Sequence, residues 1–234
     1  MRAMTEQPEW EGSLNTRRVL PGLIRSANLS FLTETGRAQL LASGLGRVID
    51  LRNRQERQID PAPFTGTAAY LNLPLLPSGN PALERAGQAA TDNGASYRAI
   101  LDDSGNHFAT VFGAMLDAPP GPVLVHCHVG KDRTGLVVAL ALELAGVARG
   151  VIAADYAETD RHMQGVYSTM LARQGDPQKR RQLAAFLVSR EGDILSALEY
   201  LDTTWGGTAA YLEAFGLTRD EQRRLIARLT KEPQ

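Results

Sequence analysis

The chain has 234 residues, of which 43% are hydrophobic, and its 25 Lys and Arg against 26 Asp and Glu give a formal net charge of −1. This length and composition fit one globular domain with a sizeable core. The balanced charge excludes a global basic field, so we expect no nucleic acid among its partners. Any attraction for an anion must therefore come from a local site.

Cysteine and histidine usage narrows the chemistry further. Cys127 is the one cysteine, so the chain has no internal disulfide and no Cys-x-x-Cys pair for zinc or redox work. The four histidines show no metal-ligand spacing. We therefore expect the protein to use no metal and no cofactor.

The sequence shows no evident targeting or membrane signal. Residues 1–8 lack the apolar run of a signal peptide. No window approaches the roughly 18 unbroken apolar residues of a transmembrane helix. We expect no integral membrane segment and take the cytoplasm as the default compartment, with secretion by a route that needs no signal as the alternative.

The first part of the chain is predicted to mix short strands with helices. Residues 1–12 are polar, which predicts a flexible N-terminus before a single domain over 13–234. Short strands and turns are expected within 18–26, followed by a helix that begins after Thr33 and runs to about Leu41. Compact apolar runs predict two buried strands, at 46–51 and 69–73.

The middle of the chain leads to a short strand and a buried helix. The stretch 77–96, rich in Gly, Pro, Asn and Ala, predicts a loop or a helical lid. Helices are expected at 97–102 and 107–116. Val123–His126 predicts a strand, and Thr134–Leu144, which is apolar almost all round, predicts a buried helix.

The rest of the chain is predicted to be helical, with a 3.6-residue apolar period near 150–163, 178–189, 191–203 and 218–230. Thr218 and Glu221 form a capping box at the start of the last segment. This order of elements predicts an α/β fold, a single domain with a central, mainly parallel sheet flanked by helices and a helical C-terminal part. Helices near 77–96 and 150–203 are expected to cover part of the candidate site.

A strand, a cysteine, a five-residue loop, an arginine and a helix follow one another at 123–135. The loop between Cys127 and Arg133 can curl so that its main-chain N–H groups point inward at a helix N-terminus, where they bind a phosphate dianion. Gly130 permits the dihedral angles of such a tight curl. The predicted phosphate-binding residues are His128, Val129, Gly130, Lys131, Asp132 and Arg133.

The same stretch carries the groups of a nucleophilic catalyst. Cys127 is expected at the bottom of the curl, where the N–H groups, the helix dipole and Arg133 favour the thiolate, which is the nucleophilic form. Arg133 can bind two phosphate oxygens through parallel hydrogen bonds, which a lysine cannot reproduce. Both residues are therefore predicted to be catalytic.

Two neighbours of Arg133 have candidate catalytic roles, each with a plain structural alternative. Asp132 projects from the curl and is the best candidate for the general acid. The alternative for Asp132 is a charge at a helix N-terminus, favoured by the helix dipole. The Thr134 hydroxyl is a candidate donor to the Cys127 sulfur in a hydrolytic half-reaction, or else an ordinary residue at a helix start.

Three further residues are expected to support the site. His126 is expected to order the Cys127 main chain and the loop by hydrogen bonding rather than to act as a base. Asp50 and Arg52 end a strand that should lie beside the Cys127 strand, where strand carboxyl ends line a crevice. They position the loop or the substrate, or else they form a structural ion pair.

The segment from His126 to Gly135 reads His-Cys-x5-Arg-Thr-Gly, the signature of the protein tyrosine phosphatase superfamily. Its Gly-Lys-Asp-Arg-Thr-Gly variant resembles the bacterial lipid-like tyrosine phosphatases, the family typified by mycobacterial protein tyrosine phosphatase B. The resemblance extends from about residue 15 to 230. It includes blocks at Pro21–Ser30, Val48–Arg52 with Glu56, Tyr97-Arg98 and Tyr211–Leu229.

The resemblance implies removal of phosphate from phosphotyrosine, and also from phosphoserine or phosphothreonine, through a phosphocysteine intermediate on Cys127. A lysine like Lys131 also occurs in phosphoinositide phosphatases, so the expected substrate is a phosphorylated protein or peptide, with a phosphoinositide as the alternative. An aspartate like Asp132 resembles the general acid of myotubularins, while the upstream Trp-Pro-Asp loop of eukaryotic tyrosine phosphatases is missing. Other aspartates rank second for the acid role: Asp50, Asp92 and Asp102.

A phosphate-binding pseudoenzyme, a sulfurtransferase and an arsenate reductase are the competing classes. The intact Cys127, Asp132, Arg133 and Thr134 argue against a pseudoenzyme. Arsenate reductases need further cysteines to resolve their intermediate, and this chain has none. Acceptance of sulfur from thiosulfate would identify a sulfurtransferase.

Overall fold

The computed structural model describes residues 10–76 and 79–231 of the chain. Within them, strands are interspersed with helices up to residue 126, and the remainder is helical. The strands are β1 Arg17–Leu20, β2 Leu23–Ser26, β3 Arg47–Asp50, β4 Tyr70–Asn72 and β5 Val123–His126, with a 3-10 turn at Leu29–Phe31. The helices are α1 Glu34–Ala42, α2 Arg54–Ile59, α3 Pro81–Ala89, α4 Asn93–Asp103, α5 Gly105–Leu116, α6 Asp132–Leu144, α7 Arg149–Ala157, α8 Thr159–Arg173, α9 Pro177–Leu187, α10 Glu191–Trp205, α11 Thr208–Ala214 and α12 Arg219–Thr230.

The five strands form one sheet in the order β1-β2-β5-β3-β4. Strand β1 is antiparallel to β2, and the pairs β2–β5, β3–β5 and β3–β4 are parallel. Since β5 is central and parallel to both of its neighbours, the carboxyl ends of β2, β5 and β3 meet at one end of the sheet. The predicted α/β fold with a central, mainly parallel sheet is confirmed.

Alternating side chains of the central strand pack into two different cores. Val123 and Val125 belong to the larger core, which α4 to α7 and α10 to α12 complete. Leu124 belongs to a smaller core on the opposite face, together with Trp10 and Leu40. The alternation follows from the two-residue period of a strand. Burial on both faces explains why β5 is apolar at successive positions.

Helix α6 leads directly away from the loop that follows β5, and it is buried from Thr134 to Leu142. A helix without a polar face must be surrounded by other elements, and the predicted buried helix is confirmed. Its packing fixes the first turn, which carries Asp132 and Arg133, at the carboxyl end of the sheet. Within the described residues, neither α6 nor any other helix is long and apolar enough to cross a membrane.

Helix ends follow the capping chemistry that the sequence predicts. Thr33 caps α1, its hydroxyl accepting a hydrogen bond from Gly36 N at 3.1 Å. Thr218 and Glu221 form the capping box that starts α12. The predicted helical C-terminal part is confirmed, because α7 to α12 follow one another from Arg149 to Thr230.

The stretch 77–96 adopts the helical alternative where the structure describes it. Residues 77 and 78 lie outside the described residues, and α3 and the first turn of α4 occupy most of the rest. Asn80 caps α3 by accepting from Ala82 N and Leu83 N at 3.1 and 3.2 Å. Pro81 takes the first helical position, where its missing N–H has no cost. Turn-forming residue types therefore start a helix here.

The chain is packed against the domain from Trp10 onward. Trp10 is 6% exposed and lies in the smaller core, and Glu11 N donates to the Gln39 side chain at 2.8 Å. Residues 10–12, which we expected to be flexible, are held by these contacts. Residues 1–9 lie outside the described residues, and the domain boundary at residue 13 stays a prediction.

Candidate active site

The loop at 127–131 joins β5 to α6 at the carboxyl end of the sheet. It begins after His126, which lies opposite Ser26 of β2 and Asp50 of β3 in the two parallel ladders. The loop therefore lies where three parallel strands end and where a buried helix begins. Both features are typical of anion-binding sites in sheets of this class.

Main-chain carbonyls of the loop are bound by groups outside it. Asn28 N donates to His128 O at 2.9 Å. The Asn15 side-chain amide donates to Val129 O and Gly130 O at 3.0 and 3.2 Å. Because these carbonyls are engaged by the surrounding structure, the N–H groups of the loop are left for its concave side.

The Cys127 sulfur lies on that concave side. Gly130 N donates to Sγ at 3.3 Å, and Cys127 is 3% exposed. Gly130 has a φ of +74°, and a Cβ at this position would lie 2.5 Å from Ser26 O. Glycine is thus required both by the dihedral angle and by the space, and the curl that the sequence predicts is present.

Arg133, in the first turn of α6, is held by Glu56 of α2. Its Nη1 and Nη2 atoms each donate to one Glu56 carboxylate oxygen at 2.6 Å. Asn53 N donates to the same carboxylate at 2.9 Å, as part of the capping box that starts α2. Burial alone would raise the pKa of the Glu56 carboxyl, but the hydrogen bonds and charge of Arg133 lower it below its usual value. The ion pair is therefore formed at neutral pH.

The pairing with Glu56 leaves one side of the Arg133 guanidinium for a ligand. A guanidinium group has five N–H donors. Glu56 accepts one from each terminal nitrogen, and Leu51 O accepts a second from Nη1 at 3.5 Å. Two donors, on Nε and Nη2, have no partner among the described residues. They lie side by side, which is the geometry that binds two oxygens of one phosphate.

Asp132 occupies the first position of α6, with its side chain 46% exposed. The hydroxyl of Tyr97, on α4, donates to Oδ1 of Asp132 at 2.6 Å. Lys131 Nζ lies 3.5 Å from the same oxygen. The carboxyl group is thus accessible from solvent and held in one orientation.

The three aspartates that ranked second for the acid role are engaged elsewhere. Asp92 caps the N-terminus of α4. Asp102 accepts a hydrogen bond from a tyrosine hydroxyl at 2.6 Å on the exposed surface. Asp50 is fully buried in an ion pair with Arg52. Of these four aspartates, Asp132 is the one at the junction of the loop and α6.

Lys131 does not present its charge at the surface. Its side chain is 3% exposed, and Nζ donates to the main-chain carbonyl of Phe186 near the end of α9. We expected Lys131 among the phosphate-binding residues, and the resemblance linked it to inositol phosphates. In the structure its ammonium group is instead committed to α9 and to Asp132, because the side chain lies beneath α9.

Two other predicted residues make no hydrogen bond to the sulfur. The His128 side chain is exposed. Thr134 Oγ1 is buried and has no hydrogen-bond partner among the described residues. In the described residues Gly130 N donates to the Cys127 sulfur, and the role of Thr134 in a hydrolytic half-reaction stays a prediction. A buried hydroxyl without a partner is a group that a ligand or intermediate can satisfy.

The three supporting residues form a buried cluster under the loop. His126 Nδ1 lies 3.2 Å from Cys127 O, which agrees with the support role. His126 Nε2 lies 3.9 Å from Asp50 Oδ2. Burial lowers the pKa of His126, against the opposing effect of Asp50, so the imidazole is neutral at neutral pH. Asp50 and Arg52, both fully buried, fit the structural alternative of an ion pair.

A second charged cluster lies beside the loop. Asp155 of α7 pairs with Arg17 and Arg25 at 2.6 and 2.5 Å. Arg25 also donates to Gly130 O at 2.5 Å. Burial alone would raise the pKa of Asp155, but the two guanidinium groups lower it. Two positive charges and one negative charge leave a net positive charge next to the loop, which favours an anion there.

Helices α8 and α9 pack against the loop. Val129 belongs to a small apolar cluster with Met163 and Tyr167 of α8 and Leu187 of α9. The bond from Lys131 to α9 adds a polar contact. Part of the segment 150–203 therefore packs against the loop, and its cover over the candidate site stays a prediction.

Ligand-binding groups at the site suit an anion. In the described part of the chain, no group of three or more His, Cys, Asp or Glu side chains is placed to hold a metal ion. Gly130 N, which is directed at the Cys127 sulfur, and the side of Arg133 away from Glu56 are donors that suit an anion.

Several contact residues were not in the predicted site set: Asn15, Arg25, Glu56 and Tyr97. Arg25, Glu56 and Tyr97 entered the sequence analysis only through the resemblance. Glu56 had a local signal, since Asn53-x-x-Glu56 is a capping-box pattern. That pattern reports the start of α2 and contains no information on pairing with Arg133, 77 positions away.

Comparison with known sequences agrees with this geometry. The sequence model of the tyrosine phosphatase family matches residues 12–231. A tyrosine-protein phosphatase of Nostoc commune is 30% identical over 215 residues, which cover 88% of this chain and 73% of that protein. The triple specificity protein phosphatase PtpB of Mycobacterium tuberculosis is 29% identical over 249 residues, covering 88% of this chain and 90% of that protein.

Two solved structures align with a large share of the chain. P. aeruginosa TpbA covers 84% of this chain and 96% of its own, at 21% identity and a TM-score of 0.35. The core catalytic domain of the PP-IP phosphatase SIW14 from S. cerevisiae covers 84% and 97%, at 15% identity and a TM-score of 0.40. The family match, in contrast, is a match of sequence over residues 12–231. The chain therefore belongs to the tyrosine phosphatase family and is a phosphoric monoester hydrolase.

Proposed function

We propose that the protein hydrolyses phosphotyrosine, and also phosphoserine and phosphothreonine, through a phosphocysteine intermediate on Cys127. The observation that carries this proposal is the arrangement of donors around the sulfur. Loop carbonyls are bound from outside, Gly130 N is aimed at Sγ, and Glu56 leaves two donors of Arg133 free. A phosphate placed on these donors has its phosphorus next to the thiol.

In the first half-reaction, the Cys127 thiolate attacks phosphorus, and the S–P bond forms as the ester P–O bond breaks. The loop N–H groups and Arg133 bind the non-bridging oxygens and stabilise the charge on them. Asp132 gives its proton to the leaving oxygen, which departs as a neutral hydroxyl group.

In the second half-reaction, water attacks the phosphorus of the phosphocysteine. Asp132, now a carboxylate, takes a proton from that water as the S–P bond breaks. Inorganic phosphate forms and the thiolate is regenerated. Thr134, whose buried hydroxyl lacks a partner among the described residues, is the group that we assign to the departing sulfur.

Protein substrates are the first choice for this site. The curated relatives are named tyrosine-protein phosphatase and triple specificity protein phosphatase, which supports a phosphorylated protein and a substrate range wider than phosphotyrosine alone. A phosphoinositide is the alternative. It ranks second because Lys131, the extra cation that would bind a further phosphate, is bonded to the Phe186 carbonyl. Relative rates on a phosphotyrosine peptide and a phosphoinositide separate the two.

The test of this proposal compares the wild-type protein with Cys127→Ser in hydrolysis of p-nitrophenyl phosphate, with a chelator present and vanadate as inhibitor. The expected result is vanadate-sensitive turnover that falls by about 10³-fold or more in the variant, with binding of a phosphate analogue retained. Arg133→Lys is expected to lose both binding and rate. Equal activity of wild type and Cys127→Ser would remove the mechanism.

A further inference from the structure

Asp132 is connected to a pair of buried tyrosines. The Tyr97 hydroxyl donates to Asp132 Oδ1 at 2.6 Å and lies 2.5 Å from the Tyr156 hydroxyl. Tyr97 and Tyr156 are each 1% exposed, whereas the Asp132 side chain is 46% exposed. One oxygen of a solvent-facing carboxyl group is thus anchored in the core, and Oδ2 has no such anchor among the described residues.

The direction of these hydrogen bonds follows from the number of protons available. Burial and the nearby Asp132 charge raise the pKa of Tyr97 and of Tyr156, so both hydroxyls are protonated at neutral pH. Tyr97 has a single proton and donates it to Asp132, so Tyr156 donates to Tyr97. A hydroxyl that accepts one hydrogen bond donates a stronger one. Tyr156 therefore strengthens the bond from Tyr97 to Asp132.

Packing holds the tyrosine pair in place. The two rings meet edge to face, with centroids 6.1 Å apart and an interplanar angle of 87°. The Tyr156 ring also lies against Gly135 of α6, where a Cβ would come within 3.1 Å of the ring. Gly135 is three residues after Asp132, so the same helix turn that carries the carboxyl group leaves room for Tyr156.

Other charged and polar groups near Asp132 do not take over this contact. Lys131 Nζ is 3.5 Å from Oδ1, and it donates to the Phe186 carbonyl. Arg133 is paired with Glu56. Within the residues that the structure describes, Tyr97 is the one side chain that donates a hydrogen bond to the Asp132 carboxylate.

We propose that Tyr97 is a positioning residue for proton transfer, which acts through Asp132 and is itself supported by Tyr156. The inference rests on the general-acid role proposed above for Asp132. Because Oδ1 accepts from Tyr97, the transferable proton is on Oδ2. That proton passes to the ester oxygen as the P–O bond breaks and the S–P bond forms, while Tyr97 keeps its own proton.

The experiment measures kcat/KM with two aryl phosphates that differ in their need for an acid. Phenyl phosphate has a poor leaving group and needs protonation, whereas p-nitrophenyl phosphate has an activated one. The proteins are wild type, Tyr97→Phe, Asp132→Asn and the double variant. Because kcat/KM includes the departure of the phenol, it reports the proton transfer directly.

The expected result is a loss that depends on the leaving group. Tyr97→Phe should lower kcat/KM for phenyl phosphate by about tenfold, the scale of one hydrogen bond to a charged group, and for p-nitrophenyl phosphate by less than about threefold. Adding Tyr97→Phe to Asp132→Asn should change neither value, because the two residues act as one unit. Tyr156→Phe should give a smaller loss of the same kind.

Two controls keep a folding defect apart from a positioning defect. Tyr200→Phe removes another tyrosine–carboxylate bond, to Asp102 at 2.6 Å, which does not touch the loop, and it should leave both rates unchanged. If Tyr97→Phe damages the fold, kcat/KM should fall equally for both substrates. The Tyr156→Phe variant then decides, and an equal fall of kcat/KM for both substrates in that variant as well overturns the inference.

Failure of the inference is distinct from failure of the proposed function. The role of Tyr97 is overturned if Tyr97→Phe still lowers kcat/KM in the Asp132→Asn background. It is also overturned if Tyr97→Phe does not lower kcat/KM for phenyl phosphate. Either result leaves Asp132 as the acid. If Asp132→Asn itself shows no leaving-group dependence, the acid assignment falls and the inference falls with it. Loss of turnover in Cys127→Ser tests the nucleophile independently of both.

Discussion

Gly130 combines two constraints that no other residue type meets. Its φ is +74°, and an added Cβ would lie 2.5 Å from Ser26 O and 2.9 Å from Ala27 N. These are main-chain atoms at the end of β2, which cannot shift without disturbing the β2–β5 ladder. Gly44 has nearly the same φ, +71°, but open space around its Cβ position. Comparing substitutions at the two glycines therefore distinguishes the cost of dihedral strain from the cost of a steric clash.

Gly130→Ala is expected to lower the free energy of unfolding by about 3 kcal/mol or more and to abolish turnover, because it displaces the N–H group aimed at Sγ. Gly44→Ala should cost about 1 kcal/mol, the dihedral strain alone, and leave turnover unchanged. Urea unfolding and p-nitrophenyl phosphate hydrolysis measure both effects. Equal costs for the two variants would show that the Ser26 contact is unimportant.

Single residues are predictable from sequence where their chemistry is local. The five-residue spacing between Cys127 and Arg133 is enough to predict both the loop and the paired N–H donors that Arg133 offers to a phosphate. Glu56 and Tyr97 contact the site from 77 and 35 positions away, and no local pattern contains those contacts. Lys131 shows the opposite case, in which a local pattern is misleading. Its place in the loop suggests that its ammonium group contacts a ligand, whereas Nζ donates to a carbonyl of α9.

At the scale of elements, one charged cluster joins β1, β2 and α7. Arg17, Arg25 and Asp155 are 1%, 0% and 6% exposed, and Arg25 continues the cluster to Gly130 O in the loop. Removal of the carboxylate would leave two buried guanidinium groups without the ion-pair partner that they share. Breaking a buried ion pair in this way costs more than the pair contributes, because the remaining charge stays desolvated.

Asp155→Asn is therefore expected to lower the free energy of unfolding by about 3–5 kcal/mol. It should also lower kcat/KM, since Arg25 loses the partner that fixes its contact with the loop. Asp202→Asn is the matched control, because Asp202 pairs with Arg149 at 2.7 Å but is 49% exposed, and it should cost about 0–1 kcal/mol. Similar costs in urea unfolding would contradict the importance of the buried cluster.

Elements are predictable where a period, a cap or continuous burial marks them. Helix α6 and strand β5 follow from apolar runs, and the caps at Thr33 and Thr218 mark the starts of α1 and α12. Strands β3 and β5 are paired side by side, as expected. The stretch 77–96 left two alternatives because Gly, Pro and Asn form turns as well as helix starts. Trp10 was overlooked because its burial depends on a core assembled from distant residues.

At the scale of the whole molecule, buried histidine makes stability depend on pH. Burial lowers the pKa of both His126 and His162. An unfolded histidine titrates near about 6.5, so below that pH the unfolded chain binds protons that the folded chain does not. The stabilisation is therefore present above about pH 6.5 and is lost as the pH falls toward the folded value.

Unfolding free energy should decrease between about pH 7.5 and 5.5, by at most about 1.4 kcal/mol per pH unit for each buried histidine. Carboxylates with lowered pKa, among them Glu56 and Asp155, keep their contribution down to about pH 4 and lose it below. Urea unfolding at a series of pH values measures both stages. His126→Gln should flatten the first stage. An unchanged slope in His126→Gln would contradict a neutral, buried imidazole.

Phosphoryl transfer to Cys127 is the central event of the proposed reaction, and trapping the intermediate tests it most directly. The protein is mixed with p-nitrophenyl phosphate, quenched in acid during turnover and digested, and the peptides are measured by mass spectrometry. The expected result is the added mass of one phosphoryl group on the peptide that contains Cys127, absent from Cys127→Ser. Turnover by the wild type without that adduct, together with an active Cys127→Ser, would contradict a phosphocysteine mechanism.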